Sequence, residues 1–308
     1  RYKLNENSRL AVKVRLPRKL AYFLKSARIV RDNMQKTISA SSIQRYKKSL
    51  APIEGCSFRE GHPDRIGNPE CDELLCTKCL FFDLSSFELR GGAVCFDRTS
   101  SSSTLKWNYF ILCRLMNSSG IGGSFFTSAI KVYNEGNCVF KSSASYLYHA
   151  FRAYNRDGSL NSINDAFVEC FQQPGCDRGC FGGYSALVTN VNQMNGSYNE
   201  ITRGATILDW GCGSYGDKTA SHQFLQTSLC RNSGNNVILP MRGDTVCDSF
   251  SLVSNKGSGN LIGRHIGNTV KFKNSFFAYN THTLFGQSST FTSCSFCSNG
   301  FSTNTPCD

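Results

Sequence analysis

The chain has little proline, little charge and no long apolar run. Its 308 residues include 7 prolines, and 18% of them are charged. No apolar run approaches the roughly 20 residues that a membrane-spanning helix needs, so we expect no transmembrane span. Small, aromatic and β-prone residues dominate after residue 80 and favour strands and tight turns. An all-β architecture can extend over this length as one domain.

Acidic residues are almost absent from the first fifty positions. Residues 1–50 hold fourteen lysines and arginines against Glu6 and Asp32, and their net charge of +12 equals that of the whole chain. The remaining residues balance at twenty basic and twenty acidic. A basic arm on a neutral body is expected to bind an acidic surface.

Recognisable catalytic motifs are also missing. No Gly-x-Ser-x-Gly motif or P-loop occurs, and the histidines His62, His149, His222, His265 and His282 are too dispersed for helical metal ligands. The aspartates of the body are scattered, with no Asp-Asp or Asp-x-Asp after residue 80. Among them are Asp83, Asp97, Asp157, Asp165, Asp209, Asp217, Asp244 and Asp248. We therefore expect no catalysis and no cofactor.

The arm is predicted to contain a basic amphipathic helix from Pro17 to about Lys36. Apolar residues recur there at helical spacing, at Leu20, Phe23, Leu24, Ala27, Val30 and Met34. Such a helix caps the end of the body, docks on a partner or lies on a membrane surface. The basic residues predicted to bind a partner are Arg15, Arg18, Lys19, Lys25, Arg28, Arg31, Lys36, Arg45, Lys47 and Lys48.

We expect the partner of this arm to be an acidic macromolecule. Nucleic acid is less favoured, because the body contains no recognition module. An acidic protein assembly fits better, and tubulin is the favoured one, with neighbouring structural proteins as further partners. A rigid body with a basic clamp would suit such a repeating scaffold.

The sixteen cysteines admit two interpretations. Many lie in apolar, strand-like stretches, as Cys95, Cys113, Cys138 and Cys170 do, which is typical of reduced, buried thiols in a cytoplasmic protein. The alternative is a secreted or cell-surface protein with paired cysteines, glycosylated at the sequons of Asn117 and Asn195 and cleaved from a signal before Arg1.

Residues 51–79 form a predicted Cys-rich junction between the arm and the body. Cys76 and Cys79 have the spacing of a zinc knuckle. A weak zinc candidate consists of Cys56, His62, Cys71, Cys76 and Cys79. Buried thiols or one disulfide are the simpler interpretation.

From about residue 80 to 308 the chain repeats imperfectly. Short strands, often led by glycine, begin at 91, 122, 146, 182, 204, 236 and 260. Repetition at periods of roughly 20–50 residues indicates a solenoid. The repeat resembles right-handed parallel β-helix proteins of the pectate-lyase-like and polymorphic-membrane-protein type, and especially the Cys-rich families of flagellate protists.

This resemblance implies an all-β, single-stranded right-handed parallel β-helix behind the basic arm. It also implies inward-facing residues at Phe81, Val94, Phe96, Phe125, Phe140, Phe167, Leu187, Ile207 and Ile238. The segment from Phe291 to Cys297 is expected to form the last coil or the C-terminal cap. The leading functional hypothesis is a non-catalytic structural protein of the microtubule cytoskeleton, in a cilium or flagellum.

Enzymatic alternatives rest on two motifs. The segment from Ile207 to Gly216 resembles the glycine-rich loop of S-adenosylmethionine-dependent methyltransferases, but Tyr215 replaces the expected third glycine and no acid follows before Asp244. The segment around His265 resembles a site strand of polysaccharide-active β-helix enzymes without their partner acids. We interpret the first as coincidence. A polysaccharide-active β-helix enzyme stays an alternative, because stacked coils can bring distant acids together.

Overall fold

The computed structural model describes most of the chain between Cys56 and Gly300. The described residues are 56–61, 65–146, 150–154, 158–172, 181–184, 186–200, 206–211, 220–234, 236–240, 243–262, 269–282 and 289–300. They form strands, turns and bends, and no helix occurs among them. This part of the chain is all-β, as the sequence predicts. The helix predicted between Pro17 and Lys36 lies outside it.

Short strands follow one another at close intervals. In chain order they are β1 Cys56–Gly61, β2 Ile66–Gly67, β3 Glu73–Phe82, β4 Ser85–Ser86, β5 Val94–Phe96, β6 Ser102–Lys106, β7 Tyr109–Ile111, β8 Arg114–Leu115, β9 Phe125–Thr127, β10 Lys131–Glu135, β11 Cys138–Phe140, β12 Ser143–Ala144, β13 Phe151–Tyr154, β14 Ser159–Ile163, β15 Ala166–Val168 and β16 Phe171–Gln172. They continue with β17 Phe181–Tyr184, β18 Val188–Asn192, β19 Asn195–Ser197, β20 Thr206–Gly211, β21 Ser221–Leu225, β22 Ser228–Cys230, β23 Asn236–Pro240, β24 Asp244–Asp248, β25 Ser251–Val253, β26 Val270–Lys273, β27 Phe276–Ala278, β28 Ser289–Thr292 and β29 Ser295–Cys297.

Parallel stacking of these strands builds three faces and a short sheet. Face 1 consists of β1, the first half of β3, β6, β10, β14, β18, β21, β24, β26 and β28, and face 2 consists of the second half of β3, β7, β11, β15, β19, β22, β25, β27 and β29. Face 3 consists of β2, β5, β9, β13, β17, β20 and β23. The short sheet consists of β4, β8, β12 and β16. All of these pairings are parallel, as where Val132 of β10 aligns with Ser103 and Leu160. The fold is a parallel β-solenoid, which confirms the predicted fold class. Its right-handed sense stays a prediction.

The core consists of side-chain columns that run along the solenoid. On face 2, Phe81, Phe110 and Val139 occupy one column, and the rings of the two phenylalanines stack with centroids 4.8 Å apart. On face 3, the ring of Phe151 stacks between those of Phe125 and Phe181 at 5.0 and 4.9 Å. Strand side chains alternate between the two sides of a sheet, so each coil completes its inner side against its neighbours.

Two corners in each coil are formed by residues with positive φ. Corner 1 contains Lys78, Trp107, Gly136, Asn164, Gln193, Gln226, Ser249, Asn274 and Ser293; corner 2 follows five residues later at Asp83, Leu112, Lys141, Glu169, Tyr198, Arg231, Ser254, Tyr279 and Ser298. Non-glycine residues seldom adopt this conformation. Gly136 is required for a further reason, because a Cβ there would lie 2.2 Å from the Trp107 ring.

After corner 2, asparagines form a hydrogen-bonded ladder through Asn199, Asn232, Asn255, Asn280 and Asn299, and all but the half-buried Asn299 are buried. The Asn232 Oδ1 accepts from both the backbone N–H and the Nδ2 of Asn199, each at 3.0 Å. Its Nδ2 donates to the Asn255 Oδ1 at 3.0 Å and to the Gly196 carbonyl at 2.9 Å. The ladder supplies partners for the backbone groups at the corner, where the sheet is interrupted.

A shorter ladder follows corner 1. The Asn108 Nδ2 donates to the Asn137 Oδ1 at 2.9 Å, and the Asn137 Nδ2 donates to the Asp165 Oδ1 at 3.1 Å. The Asn108 Oδ1 accepts from the backbone N–H of Cys79 at 2.9 Å. This ladder therefore links four consecutive coils.

Most of the predicted inward residues lie in the core. The core cluster contains Phe81, Val94, Phe96, Phe125, Phe167 and Ile238. Phe140 is also buried, at 8% exposed, but it lies outside this cluster. Val139 is the β11 residue that aligns with Phe110 and Phe167, so strand alternation places Phe140 on the other side of the strand. Leu187 is only half-buried because it precedes β18, and the side chain of Ile207 lies outside the described residues.

The solenoid includes both ends of the predicted repeat. β1 pairs with β3 on face 1, so stacked strands already occur within residues 56–79, the predicted junction. At the other end, β28 and β29 contain the segment from Phe291 to Cys297 and form the last coil that the structure describes.

We predict that Asn232→Ala destabilises the solenoid by about 3 kcal/mol or more, because it leaves the buried donors of Asn199 without their acceptor. Chemical denaturation monitored by circular dichroism measures this loss. Asn190→Ala is the matched control, since the exposed Asn190 amide makes a single bond to Asn161 on the outer side of face 1. It should change stability by no more than about 0.5 kcal/mol. Equal effects of the two substitutions would contradict the role of the ladder.

Candidate functional site

The predicted partner-binding residues of the arm, from Arg15 to Lys48, lie outside the described residues. Their role therefore stays a prediction. Of the zinc candidate, His62 and the side chain of Cys56 also lie outside the described part of the chain. The structure describes the side chains of the other three.

Cys71, Cys76 and Cys79 have three different environments. Cys71 is disulfide-bonded. The Cys76 thiol is buried and donates to the Asn108 Oδ1 at 3.4 Å, and its interaction with Cys79, together with burial, raises the pKa of Cys76. Within the described residues, no group of three or more His, Cys, Asp or Glu could hold a metal ion.

Ten of the cysteines that the structure describes are free: Cys76, Cys79, Cys95, Cys113, Cys138, Cys170, Cys230, Cys247, Cys294 and Cys297. Burial raises the pKa of Cys113 and of Cys138 to about 12. Such thiols behave as small apolar core residues and are poor nucleophiles.

The described acids do not converge on one catalytic position. Asp165 lies inside the core, whereas Asp244 and Asp248 belong to β24 on face 1. Asp83 pairs with Arg114 at corner 2, with 3.5 Å between Oδ1 and Nη2. Asp209 belongs to β20, where its backbone aligns with Gly182 and Leu239 on the neighbouring coils. The glycine-rich segment that begins at Ile207 is thus in part an ordinary strand of face 3.

The described histidines are structural. His222 and His282 are both fully buried. The His282 Nε2 lies 3.2 Å from the Gly234 carbonyl oxygen, and burial lowers the pKa of His282. Neither ring is exposed for proton exchange with a substrate.

A cleft of about 470 Å³ opens between the first coils. It is lined by Arg65, Gly67, Asn68, Glu88, Leu89, Arg90, Cys95 and Asp97. Arg65 is held by backbone carbonyls, because its Nη2 donates to the Arg90 oxygen at 2.9 Å and its Nε to the Gly91 oxygen at 3.1 Å. The side chain of this arginine therefore joins two consecutive passes of face 3.

The charges of the cleft are largely matched. Arg90 forms an ion pair with Asp97, and its guanidinium also lies 4.8 Å from the centroid of the Phe126 ring. The Asn68 Oδ1 accepts from the Asp97 backbone N–H at 2.8 Å. Burial raises the pKa of Cys95, against the opposing effect of Arg65 and Arg90. The cleft therefore offers positively and negatively charged side chains to a ligand, but its thiol, Cys95, is not an activated nucleophile.

Five exposed apolar residues, which we call the apolar strip, lie in or shortly after the strands of the short sheet, and one of them, Leu89, also lines the cleft. It consists of Phe87, Leu89, Met116, Tyr146 and Phe171, all of them exposed. Phe87 is 77% exposed and follows Ser86, which pairs with Leu115 directly before Met116. Exposed apolar surface of this kind is typical of interaction sites. The cleft and the strip together form the candidate interaction site.

A comparison with protein-family models, curated proteins and solved structures finds no match to this chain. Assignment to the parallel β-solenoid class therefore rests on the observed strand pairing. Within the described residues, the structure contains no helix long and apolar enough to cross a membrane.

Sequence reasoning missed the candidate interaction site, because its members are about one coil apart in the chain. Asn68 and Asp97, for example, are 29 positions apart and form a hydrogen bond. The signal that could have placed them together is the pair of corners five residues apart that recurs in each coil. Asn108, Asn137 and Asp165 mark the same point on successive coils, so an alignment of the repeats on these residues brings the coils into register.

We predict that thiol reactivity follows burial. In the native protein, Cys230, Cys294 and Cys297 should react with a maleimide, whereas the fully buried Cys76, Cys113 and Cys247 should react only after denaturation. Denaturation without reductant should expose all ten free thiols and leave Cys71 unlabelled. Peptide mass spectrometry gives the labelling of each position. Rapid native labelling of Cys113 would contradict the packing described above.

Proposed function

We propose that the chain is a non-catalytic structural or interaction protein that docks through its basic arm on an acidic protein assembly. Tubulin in the cytoskeleton of a cilium or flagellum is the favoured assembly. The observation that carries this proposal is the charge distribution. The whole net charge of +12 belongs to the first fifty residues, whereas the rest of the chain is neutral. Long-range attraction to an acidic surface would therefore act on the arm.

The architecture of the body supports a structural role. Parallel strands about 4.8 Å apart, joined by buried ladders at two corners, form a stiff repeat with extended outer faces. The candidate interaction site adds exposed apolar side chains, such as Phe87, next to paired charges. Neighbouring structural proteins are the partners that we propose for this second surface.

A position in a flagellar cytoskeleton is the finer part of the proposal. It rests on the similarity of the repeat to the Cys-rich β-helix proteins of flagellate protists. The abundance of free, buried thiols supports a reducing compartment such as the cytoplasm. We propose no reaction for the chain, since the described acids are dispersed, ion-paired or buried.

A secreted or cell-surface adhesion protein is the second candidate. Cys71 favours it, because this residue is disulfide-bonded. The sequon at Asn117 favours it less, since the Asn117 Nδ2 already donates to the Phe87 carbonyl at 3.0 Å. Labelling of the protein purified under non-reducing conditions separates the two candidates: ten free thiols support the cytoplasmic one.

Co-sedimentation of the full chain with microtubules over a range of salt concentrations tests the proposal. Replacing four arm lysines, Lys19, Lys25, Lys36 and Lys47, by glutamine should weaken binding roughly tenfold or more. Added salt should release the unsubstituted protein, because exposed charges are screened.

The matched control removes the same charge from the body. It replaces Lys131, Lys256, Lys271 and Lys273, which are all exposed, by glutamine. We expect this variant to pellet almost like the unsubstituted chain. An equal loss of microtubule binding in the two variants would mean that only the net charge matters, which would contradict docking through the arm. A failure of the unsubstituted chain to pellet would contradict it as well.

A further inference from the structure

Asp165 is a carboxyl group at a position that amides occupy on the two preceding coils. It follows Asn164 at corner 1, as Asn108 and Asn137 follow Trp107 and Gly136. Its side chain is only 2% exposed. The next coil has Met194 at the equivalent point, and this side chain offers no oxygen acceptor. The ladder of corner 1 therefore ends at a group that can ionise.

The hydrogen bonds of Asp165 divide between its two oxygens. Oδ1 accepts the backbone N–H of Asn137 at 2.7 Å and the Asn137 Nδ2 at 3.1 Å, as an amide oxygen does elsewhere in the ladders. Oδ2 accepts the Ser162 hydroxyl at 2.5 Å. Oδ2 takes the place of the Nδ2 of an asparagine, so Asp165 has an acceptor oxygen where the preceding coils have a donor.

In the preceding coils, this Nδ2 donates to a backbone carbonyl of face 1. Asn108 donates to the Cys76 oxygen at 2.9 Å, and Asn137 donates to the Leu105 oxygen at 3.0 Å. Strand register aligns Cys76 with Leu105 and Leu105 with Asn134. The equivalent acceptor for Asp165 is therefore the Asn134 carbonyl. A protonated carboxyl has one donor hydrogen for this polar environment, whereas a carboxylate has none.

We propose that Asp165 makes the middle of the solenoid sensitive to pH: its neutral carboxyl completes the ladder of corner 1, and its ionisation weakens the contact between the coil of β10 and β11 and the coil of β14 and β15. The proposal concerns the body and is independent of the function that we propose for the arm.

Among the residues that the structure describes, no positive charge compensates the ionised form of Asp165. The ionisable groups that face Asp165 are Glu135 and Tyr133 of β10 and Cys138 of β11. A carboxyl, a phenol and a thiol carry no positive charge in either protonation state. No ion pair with Asp165 occurs among the described residues, and the nearby Lys106 pairs with Glu135 at 3.3 Å. Burial dominates over the hydrogen bonds from Ser162 and Asn137, and it raises the pKa of Asp165 from 3.8 to about 7.

The direction of the effect follows from linkage. The folded state holds the Asp165 proton more tightly than the unfolded state, so the stabilisation is complete below pH 3.8 and is lost as the pH rises towards about 7. The equilibrium constant for closing the contact between the two coils should fall by up to roughly a thousandfold over this pH range and stay constant above it. Small pH changes near neutrality would then alter the stability of the middle coils.

Hydrogen exchange of the native full chain tests this inference. The Asn137 N–H donates to the Asp165 Oδ1, and the Asn199 N–H donates to the Asn232 Oδ1 in the other ladder. The ratio of the two exchange rates removes the intrinsic pH dependence of exchange. This ratio should rise severalfold or more between pH 5.5 and pH 7.5, while Asn199 serves as the internal reference.

Asp165→Asn should abolish the rise of this exchange-rate ratio and keep the Asn137 N–H protected at both pH 5.5 and pH 7.5. Asp83→Asn is the matched control, because Asp83 is an exposed aspartate of corner 2 that pairs with Arg114. It should leave the rise unchanged. A ratio that is independent of pH in the unsubstituted chain, or a rise that persists in Asp165→Asn, would overturn the proposal.

A second readout needs no substitution at Asp165. Difference infrared spectroscopy of the unsubstituted chain should show a protonated carboxyl at pH 5.5 that titrates close to pH 7. Complete ionisation of all carboxyl groups at pH 5.5 would overturn the proposal even if Asp165→Asn fails to fold.

Discussion

The solenoid depends on how buried hydrogen-bonding groups are satisfied at its two corners. Each coil bends where a residue with positive φ interrupts the sheet, and the backbone groups at the bend then face the core. Where an asparagine follows the bend, it supplies these partners and also bonds to the neighbouring coils, as Asn232 does towards Asn199 and Asn255. At these positions one residue type satisfies a corner and links consecutive coils in a fixed register. The phenylalanine columns can stack only because that register is maintained.

This constraint also explains why the outer surface is variable. Inward positions repeat with phenylalanine, leucine and valine, whereas outward positions of the same strands range from Lys271 to Val188. Local features such as the charged cleft and the apolar strip can therefore occur on one part of the body without disturbing the core. In our proposal, the neutral body supplies rigid surface and the basic arm supplies attraction.

Sequence patterns predicted the architecture well and the details unevenly. The glycine-led segments at 91, 122, 182 and 204 mark strands β5, β9, β17 and β20 of face 3. Phe140 is buried but lies outside the core cluster. Phe and Val both suit a strand, and only the pairing with Phe110 shows that Val139 occupies the inner column. The asparagine ladder was missed because glycine and aromatic residues dominate the visible repeat, whereas residues of many types occupy the two corners that lie five positions apart.

The sequence by itself determined the all-β class, the repetition into coils and the separation of a basic arm from a neutral body, since each follows from composition and local periodicity. Tertiary structure alone decided which residues meet across coils. Asn68 and Asp97 of the cleft, and Asp165 with Asn137 in the core, lie nearly one coil apart in the chain. Coil length is set by loops of unequal size, so the distance along the chain does not give the contacts between coils, and these depend on the register of the stacked strands.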